Sequence, residues 1–499
     1  MKLKKVLLNF VSDVIPLLII AVLGIFKSKL FIKALGTETL GLYNLFSQVM
    51  IYVAVVDGGL SSAVLFSLYK PNSQKDEQKI NEILSASLKV FSLIGIVVYS
   101  IAFVVSFFVP LLIKDNNFEY TYIVITFLLF ALSSVISYFF VPYYCLLEVK
   151  EKRYIYNLIV QLSQMSISLL EIFMLIKGSS FVMILLMHSA IKLIAHTIEA
   201  IICKIKFPNV NLHCQQKDYS FKRHISSLAV HKINGLVGSN IDTLIISKVL
   251  GLTYVAIYTT YHYFVNMLKM IFGKIEYSLT AMVGNALASD KRDEIELLHD
   301  RFNNLLFYLA IIVSIPLSLA INDFIDIWYE NKIFTSNLIA ISFSLLLYIS
   351  IIKMGTTLFI TSAGLYRETK HCAIVDTVVN LVLSLVLVHY MGISGVIVAT
   401  VISVFIAEYI LKTIVLYDHL FKGDCFKFFI KNIKFFLITL VDFIVGYVLI
   451  NPVQFNGVIH WFVFFVFYTI VNALSVLALF ALLKEANFLS NIQKLFKRG

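Results

Sequence analysis

Three short rows of polar residues stand inside otherwise apolar sequence, each spaced so that its members share one side of a helix. Asn9, Asp13, Pro16, Gly24 and Lys27 follow one another at intervals of 4, 3, 8 and 3, which at about 100° per residue makes one narrow stripe. His231, Gly235, Gly238 and Asp242 form a second. The longest row is Tyr258, His262, Asn266, Lys269, Gly273, Glu276 and Thr280, stepping by 4, 4, 3, 4, 3 and 4. A charge at the bilayer centre costs at least about 2.5–3.5 kcal/mol on insertion scales, so such residues face a bundle interior or an aqueous cavity. A polar interface satisfied between helices is the alternative reading. Three stripes in related places favour a lined cavity.

Lys27, Lys29, Lys248, Lys269, Lys274 and Lys353 supply ammonium groups. Phosphate is a good candidate ligand for cations held in a membrane, and lysine meets it as a point charge. Tyr254, Tyr258, Tyr261 and Tyr263, with Tyr43 and Tyr52, offer flat amphipathic faces suited to sugar rings or to the lipid interface. Asp13, Asp57, Asp242 and Glu276 are the carboxylates expected to couple or gate. Asp242 is expected to pair with Lys27 in an empty cavity and to release it when an anion arrives, or when a proton or sodium ion neutralises the carboxylate. The single charges Lys89, Glu171, Lys192, Glu199, Lys353, Asp376, Glu408 and Asp442 are each as suited to a structural pair, or to a snorkelling side chain, as to a ligand. No cofactor and no metal are expected. The cysteines, Cys145, Cys203, Cys214, Cys372 and Cys425, are odd in number and form no Cys-x-x-Cys, which argues against a zinc site or a disulfide framework.

Positioning these rows falls to the elements around them. Of 499 residues, 59% are hydrophobic and 14% charged, where a soluble domain carries about 25% charge; the mean hydropathy is +0.88. Fourteen apolar stretches approach the roughly 20 residues that a spanning helix needs. They are too long and too unalternating for outer-membrane barrel strands. The class is an all-α polytopic membrane protein.

The formal charge of +11 would suggest nucleic acid in a soluble chain, but the basic residues lie mostly between spans and no nucleic-acid partner is expected. With the N-terminus inside, 28 lysines and arginines fall in inner segments and four in outer loops, so both termini are expected in the cytoplasm. Lys2 to Lys5 and the apolar run that follows are read as the first permanent span, since Asp13 interrupts the run and no small-x-small cleavage site follows. The outer loops are too short for an extracytoplasmic catalytic domain.

A repeat appears at a shift of 215 residues. Leu35-Gly36 with Gly41 and Tyr43 matches Leu250-Gly251 with Ala256 and Tyr258, and the charged stretch from Gln74 to Ile80 meets that from Ser289 to Ile295. Each copy holds six spans, so the copies enter the membrane from the same side and are related by an axis along its normal. The expected organisation is a six-helix lobe over 1–205, a cytoplasmic linker over 206–224, and a second six-helix lobe over 225–417. A linker over 418–432, two trailing helices within 433–483 and a cytoplasmic tail over 484–499 complete it. A monomer is expected, because two lobes already enclose a pathway.

Leu35-Gly36-Thr37-Glu38-Thr39-Leu40-Gly41-Leu42-Tyr43 and Asp57-Gly58-Gly59-Leu60-Ser61-Ser62-Ala63 resemble the opening of bacterial polysaccharide-unit flippases, the O-antigen and capsule exporters. The similarity continues through Asn240 to Ile246, Gly251 to Tyr258, Ala363-Gly364, Asn380 and Gly392-Ile393-Ser394-Gly395-Val396. It extends to the wider superfamily of lipid II flippases and multidrug and toxin extrusion transporters. Val22 to Lys27 is similar to the first helix of the lipid II flippase, where Lys27 matches a cavity arginine, but Ser28 stands where that pattern has an acidic residue.

The resemblance implies a non-enzymatic flippase of the bacterial inner membrane. Its cargo would be undecaprenyl diphosphate carrying an oligosaccharide repeat unit of O antigen, as in lipopolysaccharide biosynthesis, or of capsule. Lys27 and Lys269, with Lys29 and Lys274, would attract the diphosphate, while Tyr258, His262 and Asn266 line the cavity. A proton or sodium ion would drive the cycle. Membrane lipids, a polysaccharide polymerase and a chain-length regulator are the implied partners. Two alternatives stand beside it. A cation-coupled drug exporter of the same fold would favour acidic and aromatic cavity residues, and a polysaccharide polymerase would carry a long outer loop with basic residues.

Overall fold

The computed structural model describes residues 2–54, 60–114, 117–221, 241–287, 292–450, 455–483 and 485. Asp57, His231, Gly235 and Gly238 lie outside the described residues, as do the side chains of Asn9, Asp13 and Pro16. The chain is all-α, with no strand among the described residues. Among the described residues, ten helices are long and apolar enough to cross a membrane. The chain divides into two units, Met1–Ala256 and Ile257–Gly499.

The first unit holds α1 (Lys2–Leu35), α2 (Thr37–Val53), α3 (Leu60–Ser73), α4 (Glu77–Ser106), α5 (Tyr120–Val149), α6 (Arg153–Ile176), α7 (Phe181–Lys206) and α8 (Ile241–Val249). α9 (Leu252–Leu287) begins here and runs into the second unit. α1 lies along α6, α6 along α7, and α7 against α5. Helical periodicity decides which side faces inward. On α6, Ser168, Glu171 and Leu175 are buried at steps of 3 and 4, whereas Leu158, Leu162, Leu169, Leu170 and Phe173 stay exposed as a lipid-facing surface.

α8 belongs to the first unit. Backbone proximity explains this. A Cβ on Gly41 of α2 would stand 2.0 Å from the carbonyl oxygen of Leu252, so only glycine permits the approach. Ser247 Oγ and Lys248 Nζ donate to the carbonyls of Leu112 and Leu111 at 2.8 and 2.7 Å. The repeat has a backbone counterpart. Gly36, between α1 and α2, has φ 87°, and Gly251, between α8 and α9, has φ 107°. Both are in the left-handed region that favours glycine, 215 residues apart.

The segment after α7 is tied to α4. Asn81 Nδ2 donates to the carbonyl of Asn209 at 3.2 Å and Asn81 Oδ1 accepts from the N–H of Asn211 at 2.9 Å. Ser85 Oγ accepts from the N–H of Cys214 at 3.0 Å, and Lys79 meets Asp218 at 3.1 Å. Short-range composition reads as polar loop; the hydrogen bonds it makes across more than 120 positions are a tertiary matter.

The second unit continues α9 and adds α10 (Arg292–Tyr329), α11 (Asn337–Ala363), α12 (Lys370–Met391), α13 (Ile393–Phe421), α14 (Cys425–Ile450) and α15 (Val458–Leu482). α10 packs against α11, α14 and α15, so the two trailing helices belong to this unit. Phe307, Phe435 and Phe480 stack at its centre, with centroids 4.9 and 5.0 Å apart. α12 and α13 form a tight hairpin, in which a Cβ on Gly395 would lie 2.2 Å from the carbonyl oxygen of Leu387. α13 widens into a π-helical turn over Phe405–Leu411.

Candidate functional site

In the first unit α1, α6 and α7 bring three titratable side chains to one level. Lys27 stands 8 residues before the end of α1, Glu171 5 before the end of α6, and His188 7 after the start of α7. At 1.5 Å per residue each is about 7–12 Å from the same end of the bundle. Phe31 and Phe181 close that end, with ring centroids 5.9 Å apart.

Lys27 Nζ lies 3.3 Å from Glu171 Oε2. His188 Nε2 meets the same oxygen at 3.0 Å; an ionised carboxylate only accepts, so that ring nitrogen donates. Glu171 Oε1 has no hydrogen-bond partner among the described residues. The Tyr43 ring of α2 covers the cluster, its centroid 5.7 Å from Lys27 Nζ and 6.2 Å from that of His188. The carboxylate is 1% exposed and the lysine 24%, so the cation is the end that a ligand can reach.

The carboxylate found at Lys27 is therefore Glu171, a residue the sequence left ambiguous, and the imidazole beside it was not singled out at all. Alternating span direction was the available signal. Counting residues from the span ends puts Lys27, Glu171 and His188 at matching depth. Lys29 is partly buried on α1. Asp242 is 8% exposed on α8 and close enough to Tyr52 to couple with it electrostatically.

In the second unit the α9 row divides along its length. Tyr258, expected to line a cavity, is 5% exposed and packs on Phe343, with centroids 5.5 Å apart. His262 lies beside both rings, 5.2 Å from Tyr258 and 6.1 Å from Phe343. Asn266 is exposed and lies 3.4 Å from His262 Nδ1. Lys269 is partly buried, Lys274 exposed and Glu276 partly buried. A Cβ on Gly273 would meet nothing within 4 Å, so the row opens in its second half.

A second charge cluster sits on the π-helical turn of α13. Glu408 Oε2 accepts from Lys412 at 2.6 Å and from Lys353 of α11 at 3.4 Å. Both lysines also act on Glu276 and Asp376. Asn380 Nδ2 donates to Thr400 Oγ1 at 2.8 Å across the α12–α13 hairpin. Among the described residues no group of three or more His, Cys, Asp or Glu could hold a metal ion.

No family model matches the chain, and no curated protein matches it in sequence. Solved structures do. One is the lipid II flippase MurJ in an inward closed conformation, at 18% identity and a TM-score of 0.69, covering 95% of this chain and 99% of that one. Another is an inward-facing multidrug resistance MATE family transporter of the MOP superfamily, at 15% identity and a TM-score of 0.64, covering 78% and 92%. A Vibrio cholerae MATE transporter matches at 14% identity and a TM-score of 0.51, covering 82% and 95%. At these identities the likeness is one of fold alone, that of a helical protein with many membrane helices.

Proposed function

We propose that this chain is a flippase for a lipid-linked oligosaccharide, carrying an undecaprenyl-diphosphate-bound repeat unit of O antigen or capsule from the cytoplasmic to the outer leaflet. It works by alternating access in the bacterial inner membrane, with both termini in the cytoplasm. The observation that carries the reading is the unequal exposure of Lys27 and Glu171. Two charges buried in a membrane cost about 5–7 kcal/mol together on insertion scales. Their attraction at 3.3 Å is about 5 kcal/mol at an effective dielectric of 20. The terms nearly cancel. An anion of higher charge that reaches the exposed face of Lys27 competes with Glu171 for the ammonium, and His188 holds the displaced carboxylate.

Lys29, Lys269 and Lys274 are further candidates for diphosphate contact, and His262, Asn266 and Tyr258 for the sugar. Glu171 joins Asp242 as a candidate for gating, and its protonation would uncouple Lys27, which gives a proton a route into the cycle; sodium remains the alternative coupling ion. Asp13, Asp57 and Glu276 remain candidates for coupling. Membrane lipids hold the polyprenyl tail, and a polymerase and chain-length regulator act on the product.

The test is to delete the gene in its host, extract the lipid-linked glycans, and determine which leaflet holds the complete unit. Complete units trapped on the cytoplasmic face, and released by wild type but not by Lys27→Glu, support the reading. Units that reach the outer face unpolymerised identify a polymerase instead. Unchanged glycans together with new drug sensitivity identify an exporter.

A further inference from the structure

α7 carries a second acid and imidazole, towards its other end. His196 Nδ1 lies 2.9 Å from Glu199 Oε2, and Glu199 is 0% exposed. Its second oxygen, Oε1, has no hydrogen-bond partner among the described residues. A buried carboxylate with one oxygen unmet bears the full cost of that oxygen's desolvation. Such a group inside a membrane helix marks a site by default.

Glu199 lines a cavity of about 250 Å³ within the first unit, together with Ser61 of α3, Ser137, Phe140 and Tyr144 of α5, and Tyr156 of α6. The rings of Tyr144 and Tyr156 stand 4.7 Å apart at 51°, forming an angled wall. Phe140 stacks on His196 at 5.3 Å and holds the imidazole against the acid. A cavity of this volume admits a head group of a few carbons.

The lining selects the ligand by charge and by hydration. A carboxylate repels anions. Its neighbours are aromatic faces and neutral hydroxyls rather than further carboxylates, a set poor for strongly hydrated metal ions. Aromatic faces attract weakly hydrated organic cations. We propose that this cavity binds a small organic ammonium group, with Glu199 Oε1 as its counter-charge and Tyr144 and Tyr156 as its walls. The ammonium can belong to a soluble amine or to a lipid head group. The site is independent of the flippase reading, and its failure would leave that reading untouched.

The test uses the full-length protein in nanodiscs of phosphatidylglycerol alone, which bring no ammonium group. Tetramethylammonium and ethylammonium chloride are titrated, with sodium chloride at equal ionic strength as control, and followed by saturation-transfer NMR and by melting temperature. Both amines are expected to take saturation from the protein and to raise its melting temperature saturably. Glu199→Gln should weaken binding about tenfold or more, a loss of about 1.4 kcal/mol, and Tyr156→Leu severalfold. Ser137→Phe fills the cavity while keeping the acid, and should abolish binding even if Glu199→Gln folds poorly. In phosphatidylethanolamine discs, displacement of the soluble amines assigns the site to a lipid head group, and retained binding assigns it to a soluble amine. Wild type that binds neither amine below about 10 mM, or Glu199→Gln that binds as well as wild type, overturns the proposal. So does a carboxylic-acid infrared band, lost in Glu199→Gln, that persists unchanged at saturating amine, since a proton would then be the counter-charge.

Discussion

Lys27 Nζ and Glu171 Oε2 meet at 3.3 Å across two helices, with the carboxylate 1% exposed and the lysine 24%. The buried anion holds the cation in place, and the cation alone presents a face to a ligand. This asymmetry separates what the pair does for folding from the anion-binding role proposed for Lys27.

Removing the carboxylate should show the folding part. Breaking a buried pair from one side costs about 3–5 kcal/mol, and partial exposure of Lys27 reduces this, so Glu171→Gln is expected to lose roughly 2–3 kcal/mol. Thermal melting in detergent checks it. The exchange Lys27→Glu with Glu171→Lys should recover most of that stability while leaving glycan export abolished, because the ammonium then sits at the buried position. Export by the exchanged protein would remove Lys27 from the binding role.

Two glycines should respond in opposite ways. Gly41→Ala places a Cβ 2.0 Å from the Leu252 carbonyl oxygen, and backbone cannot give way there, so membrane yield and melting temperature are expected to fall sharply. Gly273→Ala meets nothing within 4 Å and should gain about 0.5–1 kcal/mol from helix propensity. The same melts measure both.

The segment after α7 should detach in acid. Burial raises the Asp218 carboxyl, but the N–H and hydroxyl of Ser220 and the Lys79 ammonium outweigh it and hold the group below its ordinary value of 3.8. A lowered carboxylate contributes docking that is full above the ordinary value and is lost as pH falls through the folded one. Protection of the amides of residues 209–218, taken relative to the intrinsic exchange rate at each pH, is expected to hold at pH 5 and above and to fall at lower pH. Asp218→Asn should show the weaker protection at pH 5 and above and match wild type at the acid end.

Glu408 should matter more than either lysine that it holds. Glu408→Gln leaves Lys353 and Lys412 facing each other without the carboxylate they share, and is expected to lower the melting temperature. Lys353→Gln added to it should restore part of the loss, since like charges no longer meet. Additive losses in the double variant would show that the three side chains do not act as a unit.

Residues 27, 171 and 188 show where reading a sequence stops. Each is visible as a polar residue in an apolar span, and helical periodicity turns Glu171 and His188 inward with Leu175 and Ile184. Which inward faces oppose one another is set by the packing order of α1, α6 and α7, which no local pattern encodes. Tyr258 illustrates the same limit. Its place in a polar row gives no hint that its ring lies 5.5 Å, centroid to centroid, from that of Phe343, 85 positions away.

The sequence by itself determined the all-helical membrane class. Bilayer thickness fixes the length of an apolar stretch, and the left-handed turns at Gly36 and Gly251 recur with the repeat. Tertiary structure alone decided that Glu171 lies at Lys27, that the segment after α7 lies bound to α4, and that Glu199 keeps one oxygen unmet beside a cavity. The physical reason is common to all three. Helix formation follows from neighbours three and four residues apart, whereas the partner of a buried charge depends on which helix faces lipid excludes and packing brings together.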